Sequence, residues 1–352
     1  MAKDKRIVFI VNPLSGATGK KHIVKLIEAQ LDKNLYDYDI VRTNYVGHAT
    51  EIAESASRHG VDVVCAIGGD GTVNETARAL VHTDTALSII PCGSGNGLAR
   101  HLHIPTDPAG AINIINSAET RLMDYGIIDK HPFFCTCGMG FDALVSMKFA
   151  QSGKRGPLTY LENILKNGFQ YTPEHYELTM EGDDGKQITC KAFIISCANA
   201  SQYGNNAYIA PKASVYDGMM DVTIVEPFNA IDTPQIVFQL FKGTIDQNNY
   251  VKTFRCRKIH IHRSEQGFIH YDGDPVMSGS DIDIEIIPKG LKCICPPTEG
   301  VKDVSENLQS MIVEHFYTIY SQSEEILQNN FKKNQRIFKI NKDIIRKLAK
   351  KR

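Results

Sequence analysis

Over the first 125 residues, short apolar runs alternate with segments whose apolar positions recur every three or four residues. In Arg6-Ile7-Val8-Phe9-Ile10-Val11 five apolar residues follow the arginine and stop at Asn12-Pro13-Leu14-Ser15-Gly16, which predicts a buried strand ending in a turn. Ile23, Leu26, Ile27 and Leu31 then fall at helical spacing. A second strand is predicted over 38–41, an Ala- and Glu-rich helix over 47–59, a third strand over 61–67 and a fourth over 86–91. The third runs into Gly68-Gly69-Asp70-Gly71-Thr72 and the fourth into Gly93-Ser94-Gly95-Asn96-Gly97. Strands alternating with helices predict a parallel sheet covered on both faces.

Beyond about Arg121 the period changes. Short β-like runs dominate, at 133–137, 177–180, 192–197, 220–225, 258–262, 282–287 and 292–295, with turns such as Gly182-Asp183-Asp184-Gly185 between them. Helical patches interrupt at 158–169 and 232–242, and the stretch after Pro296-Pro297 reads as helical. The pattern predicts an α/β domain over 1–125, a mainly antiparallel β domain over 126–297, and a helical extension with a basic tail over 298–352.

Composition bounds the function classes. Hydrophobic residues are 42% and charged residues 22% of 352, ordinary for a soluble globular chain. No apolar run approaches the roughly 20 residues of a membrane span. The stretch from Ile7 to Val11 is too short for the apolar core of a signal peptide, so a cytoplasmic chain is expected. The nine cysteines include no C-x-x-C pair and read as buried reduced thiols rather than a zinc site. Net charge is −1, yet residues 331–352 hold ten Lys or Arg against one acid, Asp343. A basic arm on an acidic body is expected.

In open α/β sheets ligands sit beyond the carboxyl ends of the strands. Loops 12–16, 68–72 and 93–97 fall there, each leading toward a helix whose free N–H groups favour anions. Singly each is an ordinary tight turn; together they predict a phosphate-binding crevice. Asp70 inside such a loop calls for a cation between itself and phosphate, which suggests Mg²⁺ and a nucleoside triphosphate. The loop is neither a Walker A sequence nor a G-x-G-x-x-G fingerprint, which disfavours a dinucleotide-dependent dehydrogenase.

Gly68-Gly69-Asp70-Gly71-Thr72-Val73-Asn74-Glu75 resembles the nucleotide motif of the diacylglycerol kinase catalytic-domain family, which includes bacterial lipid kinases and is related to sphingosine and ceramide kinases. Asn12-Pro13-x-Ser15-Gly16 closes the first strand as in lipid kinases. Tyr216-Asp217-Gly218-Met219-Met220-Asp221-Val222 is similar to the family's second-domain metal motif, and Tyr271-Asp272-Gly273-Asp274-Pro275 to its Asp-Gly-Glu-Pro motif. The resemblance implies an N-terminal three-layer α/β nucleotide-binding domain and a mainly antiparallel second domain, of the fold shared by NAD kinases and diacylglycerol kinases. It implies ATP bound by Asn12, Pro13, Ser15, Gly16, Thr43, Gly68, Gly69, Asp70, Gly71, Thr72, Asn74, Glu75 and Ser94. It implies Mg²⁺ held by the Asp217 carboxylate and the backbone of Ser214 and Met219. Asp274 takes the place of the family's proton-accepting glutamate, and Mg²⁺ near Asp70 would offset charge on the transferring phosphoryl group.

Two departures bear on these expectations. Asp274 is one methylene shorter than the usual glutamate, which leaves Asp272 as a competing base. Gly97 stands where bacterial members carry a second acid, so the 93–97 segment is similar to the sphingoid-lipid branch. The expected function is transfer of the γ-phosphoryl of ATP to the hydroxyl of a membrane lipid, diacylglycerol before sphingoid bases or ceramide. A soluble NAD kinase-like phosphotransferase and a nucleotide-sensing regulator are the alternatives. The tail, with Ile337, Ile340, Ile344, Ile345 and Leu348 near helical spacing, is expected to meet the anionic inner membrane face. Nucleic acid is not an expected partner, and a homodimer is left open.

Overall fold

The computed structural model describes residues 5–15, 20–152, 171–181, 186–229 and 232–300. Gly16, the helical patch at 158–169, the turn at 182–185 and the basic tail lie outside the described residues.

The N-terminal layers follow the apolar pattern. Strands β1 (Lys5–Val11), β2 (Tyr36–Arg42), β3 (Val63–Gly68) and β4 (Ala86–Pro91) pair in parallel in the order β2-β1-β3-β4. Every residue of β3 and β4 is buried, as a strand covered on both faces requires. Helices α1 (Lys21–Gln30), α2 (His48–Arg58), α3 (Asp70–Leu80), α4 (Gly97–His101) and α5 (Pro108–Ser117) fill the connections. Sequential strands lie on opposite sides of β1, so the loops after β1 and β3 diverge at a switch point where a crevice must open.

The second half is antiparallel. Strands β5 (Thr120–Ile128), β6 (His131–Phe133), β7 (Thr136–Gly140), β8 (Glu174–Glu181), β9 (Gln187–Ala192) and β10 (Ile194–Ala198) come first in the chain, with helix α6 (Phe141–Ser152) after β7. Next come β11 (Met220–Val225), helix α7 (Thr233–Lys242), β12 (Val251–Cys256), β13 (Lys258–Arg263), β14 (Gly267–Tyr271), β15 (Asp274–Ser278) and β16 (Asp281–Ile294). One sheet runs β12-β11-β10-β7-β14-β15. Strands β16, β13, β8 and β9 form a second layer, and the two enclose a core that includes Met139, Ile195, Val222, Ile259, Ile261, Ile282 and Ile284. Asp281-Ile282-Asp283-Ile284-Glu285-Ile286 shows why: period-two alternation buries every isoleucine and leaves the acids outward.

The two runs at 282–287 and 292–295 form one strand. Strand β16 bends at an irregularity between Ile287 and Leu291, where Lys289 has φ +54, and continues beside β5. Its end reaches the parallel sheet, where Cys293 lies opposite Leu87 of β4. The single run at 133–137 is instead broken between β6 and β7, because the N–H groups there serve a side chain described below. All nine cysteines are free and only Cys92 is not buried. No helix among the described residues is long and apolar enough to cross a membrane.

Candidate active site

The crevice is built from loops that grip one another. Asn12 anchors the first: its Oδ1 accepts from Leu14 N at 3.0 Å, its carbonyl accepts from the buried Ser15, and its Nδ2 donates to Thr72 Oγ1 at 2.9 Å. Thr43 is buried at the end of β2 and donates its N–H to Val11. A Cβ on Gly68 would lie 2.4 Å from Thr72, and one on Gly93 2.5 Å from the Cα of Gly69, so the second and third loops pack backbone against backbone. Gly71 is exposed with open space where a Cβ would stand. Pro13 and Ser94 are exposed on the same side of the sheet, at the ends of β1 and β4.

Asp70 departs from the sequence expectation. Its Oδ2 accepts Asn96 N at 2.8 Å and its Oδ1 accepts Gly97 N at 2.6 Å. Its first role is therefore to cap the five-residue helix α4 and bind the third loop to the second. The anion at the start of α4 is Asp70 itself, which is also the first residue of α3, followed by the exposed Gly71. Burial pushes the Asp70 carboxyl up, against the pull of these backbone donors and of Arg100. Asn74 and Glu75 also spend their side chains on other parts of the protein. Asn74, 3% exposed, donates to Asp272 Oδ2 at 2.9 Å and to the carbonyl of Pro132. Glu75 accepts from Gly47 N and Ala49 N, capping α2.

Asp272 and Asp274 sit on a two-residue hairpin. Tyr271 pairs with Asp274, while Asp272 (φ +47) and Gly273 (φ +89) occupy the left-handed positions of a type I′ turn, the geometry that Asp-Gly favours. The Asp272 carboxylate accepts four donors: Asn74 Nδ2 and Phe134 N on one oxygen, Cys135 N and Thr136 N on the other, at 2.8–3.1 Å. This is what interrupts the 133–137 run, and it fastens the hairpin tip to α3. At the open end the buried guanidinium of Arg263 donates to the carbonyls of Gly267, Phe268, Ser278 and Gly279. Asp272→Asn would turn an amide donor toward N–H groups that need an acceptor. We expect a loss of ~3 kcal/mol, seen as a melting point roughly 5–10 °C lower by calorimetry. Unchanged melting would show that the clip does not hold the hairpin.

Asp274 differs in every respect. It is exposed, and no described residue donates a hydrogen bond to its side chain. The crowded recess and the charges of Asp272, Glu75 and Asp70 push its carboxyl up to about 6, with Arg78 opposing. Desolvation of the carboxyl by neighbouring atoms is the largest cause, and the three carboxylates act in the same direction. A carboxylate with open acceptor sites and that affinity can take a proton near neutral pH.

In the second-domain turn expected to hold a metal, the Asp217 carboxylate is engaged by the protein itself. Asp217 Oδ1 accepts Met219 N at 3.0 Å, and its Oδ2 is paired with the Arg255 guanidinium. Ser214 Oγ donates to Glu299. No group of three or more His, Cys, Asp or Glu side chains among the described residues is arranged to hold a metal. Ser214, Asp217 and Met219 do share one turn, but the charged partner of Asp217 is an arginine.

Several organising residues escaped the sequence reading. Asp124, fully buried in β5, accepts from Gly218 N and Lys289 N at 2.7 Å. Glu299 accepts from Val215 N and contacts His101 Nε2 at 3.1 Å, tying the start of the C-terminal extension to the end of α4. Beneath the hairpin, Asp142 meets His270 and the Tyr203 hydroxyl, all at 3.1 Å. A lone acid in an apolar run, as in Met123-Asp124-Tyr125, was the available signal for Asp124.

Comparison with known proteins agrees with this architecture. Residues 6–128 match the diacylglycerol kinase catalytic domain, and residues 135–295 match the YegS C-terminal NAD kinase beta sandwich-like domain. A diacylglycerol kinase of Mycobacterium tuberculosis is 26% identical over 298 residues, covering 83% of this chain and 95% of that protein. One from Bacillus subtilis is 26% identical over 276 residues, covering 77% and 90%. The crystal structure of a diacylglycerol kinase from Bacillus anthracis superposes with a TM-score of 0.65 at 19% identity, covering 84% of this chain and 98% of that one, and so shares its fold. With both domains matched in order around the loops and hairpin described above, the chain belongs to the diacylglycerol kinase catalytic-domain family of kinases.

Proposed function

We propose that this protein transfers the γ-phosphoryl of ATP to the hydroxyl of a membrane lipid, with diacylglycerol as the first candidate. The observation that carries the reading is Asp274. It stands on a hairpin tied at both ends, close enough to α3 to feel Asp70, Glu75 and Arg78, with its carboxyl raised to about 6. Asp272 is the poorer base, because its four acceptor positions are filled. The triphosphate would lie across Asn12–Ser15 and Gly68–Thr72, with the N-terminus of α3 against its phosphates. Asp70, Glu75, Asp272 and Asp274 make this end of the crevice acidic, which supports ATP entering with Mg²⁺ rather than as a bare tetra-anion. Bound Mg²⁺ would offset charge on the phosphates. The chain's own residues orient the nucleotide through backbone N–H groups and accept the hydroxyl proton at Asp274.

Relatives named diacylglycerol kinase support a glycerolipid acceptor. The 93–97 loop that resembles the sphingoid branch is engaged through Asn96 N and Gly97 N with Asp70, so it speaks for loop packing rather than lipid contact. Incubation with radiolabelled ATP and mixed micelles is expected to label diacylglycerol. Labelling of sphingosine or ceramide but not diacylglycerol would reverse the substrate order.

A lipid acceptor requires the enzyme to reach a bilayer. Basic residues near an anionic surface contribute about 1 kcal/mol each, within a Debye length of roughly 8 Å. Truncation after Asn330 is expected to weaken sedimentation with anionic vesicles at low salt and leave ATP binding unchanged. Equal sedimentation of both proteins would assign the tail another role.

A further inference from the structure

The turn leading into β11 gathers acids around a single guanidinium. Asp221 lies directly across from Arg255 in the β11–β12 ladder, and Asp217 sits four positions earlier. Arg255 Nη2 donates to Asp217 Oδ2, and Arg255 Nε lies 3.5 Å from Asp221 Oδ2. One cation therefore touches both acids. The other side-chain oxygens around the turn are engaged within the protein. Asp217 Oδ1 closes an Asx turn on Met219 N, Ser214 Oγ reaches Glu299, and both oxygens of Asp124 accept backbone N–H groups. Lys212, a further nearby cation, is paired with Asp246 at 2.7 Å.

A divalent ion here would need the Asp217 oxygen that Arg255 uses. Mg²⁺ also demands near-octahedral oxygen ligands at about 2.0–2.1 Å, and a guanidinium cannot share that shell. Arginine suits the alternative role: its charge is permanent, and its planar fork donates to Asp217 while its Nε stands 3.5 Å from Asp221 Oδ2, which accepts no hydrogen bond among the described residues. We propose that Arg255 is the resident cation of this turn, bridging Asp217 and Asp221 in place of the divalent ion that the Asp217 motif holds in the proteins it resembles. The second domain then folds without a metal of its own. Any metal requirement of the protein enters with the nucleotide alone.

The test uses the full chain without nucleotide. Melting of the wild type in excess EDTA and in millimolar MgCl₂ should differ by less than about 1 °C, since an ion that binds neither state tightly shifts neither. Arg255→Met should melt about 1–3 °C lower than wild type in EDTA, and Arg255→Lys, which keeps the charge but not the fork, should fall between them. A wild type several degrees more stable in Mg²⁺ than in EDTA would overturn the proposal. So would an Arg255→Met variant that melts with the wild type in EDTA. Metal analysis of wild-type protein purified without chelator gives a check independent of how the variants fold. Well under one Mg²⁺ per chain is expected, and one tightly held Mg²⁺ per chain refutes the assignment.

Discussion

Asp274→Asn is expected to lower the turnover number by about 10²–10⁴-fold while the KM for ATP stays within about twofold. The asymmetry follows from where the residue acts. An asparagine at 274 keeps the hairpin, which depends on the Asp272 clip and Arg263 rather than on the Asp274 side chain. What is lost is the acceptor for the hydroxyl proton. Wild-type kcat/KM should also fall as pH drops through about 6, because below that value the Asp274 carboxyl is protonated and cannot act as a base. The limb should be absent from the residual activity of Asp274→Asn, and Asp274→Glu should retain most of the turnover. Asp272 would have to be reconsidered as the base if Asp274→Asn were fully active and only Asp272→Asn were not.

Asp70→Asn should reduce turnover on the order of a hundredfold or more, by two routes that can be separated. One is electrostatic, through loss of the carboxylate that, in the proposed reaction, would attract the nucleotide's cation. The other is structural. The asparagine Oδ1 can still accept one N–H, but its Nδ2 opposes the other of Asn96 N and Gly97 N, so the 93–97 loop loosens at a cost of ~1–3 kcal/mol. The two backbone donors on Asp70 are the reason asparagine is not expected to be a neutral replacement in this turn. Melting curves measure the structural part. Rates taken well below the melting point, at saturating Mg²⁺, measure the rest. Wild-type turnover under those conditions would remove Asp70 from the machinery.

Much of the N-terminal half was legible because its signals are local. A run such as Val63-Val64-Cys65-Ala66-Ile67 can only be a covered strand, and the glycines after it can only be a turn. The antiparallel half was legible in kind and not in detail, since its boundaries depend on distant partners. The 133–137 run breaks because Asp272, far along the chain, takes the N–H groups of Phe134, Cys135 and Thr136. The runs at 282–287 and 292–295 join because β5 spans both, with Lys289 and Gly290 absorbing the bend. At the site, motif residues were found together, but their hydrogen bonds were not readable. Asn74, Glu75, Asp70 and Asp272 all sit in the expected motifs, yet each spends its side chain on holding loops, helix ends and the hairpin. Arg255 was invisible for a related reason. Its partners Asp217 and Asp221 lie more than thirty residues earlier, and only the β11–β12 ladder brings them together.

One reaction mixture tests the proposed chemistry most directly. It contains radiolabelled ATP, Mg²⁺, NAD in the aqueous phase and diacylglycerol in mixed micelles, with wild-type protein and Asp274→Asn run in parallel. The label should pass from ATP to the lipid with the wild type, leave NAD unlabelled, and pass about 10²–10⁴-fold more slowly with Asp274→Asn. Label in NAD rather than in the lipid, or lipid labelling at the same rate with both proteins, would contradict a lipid kinase whose base is Asp274.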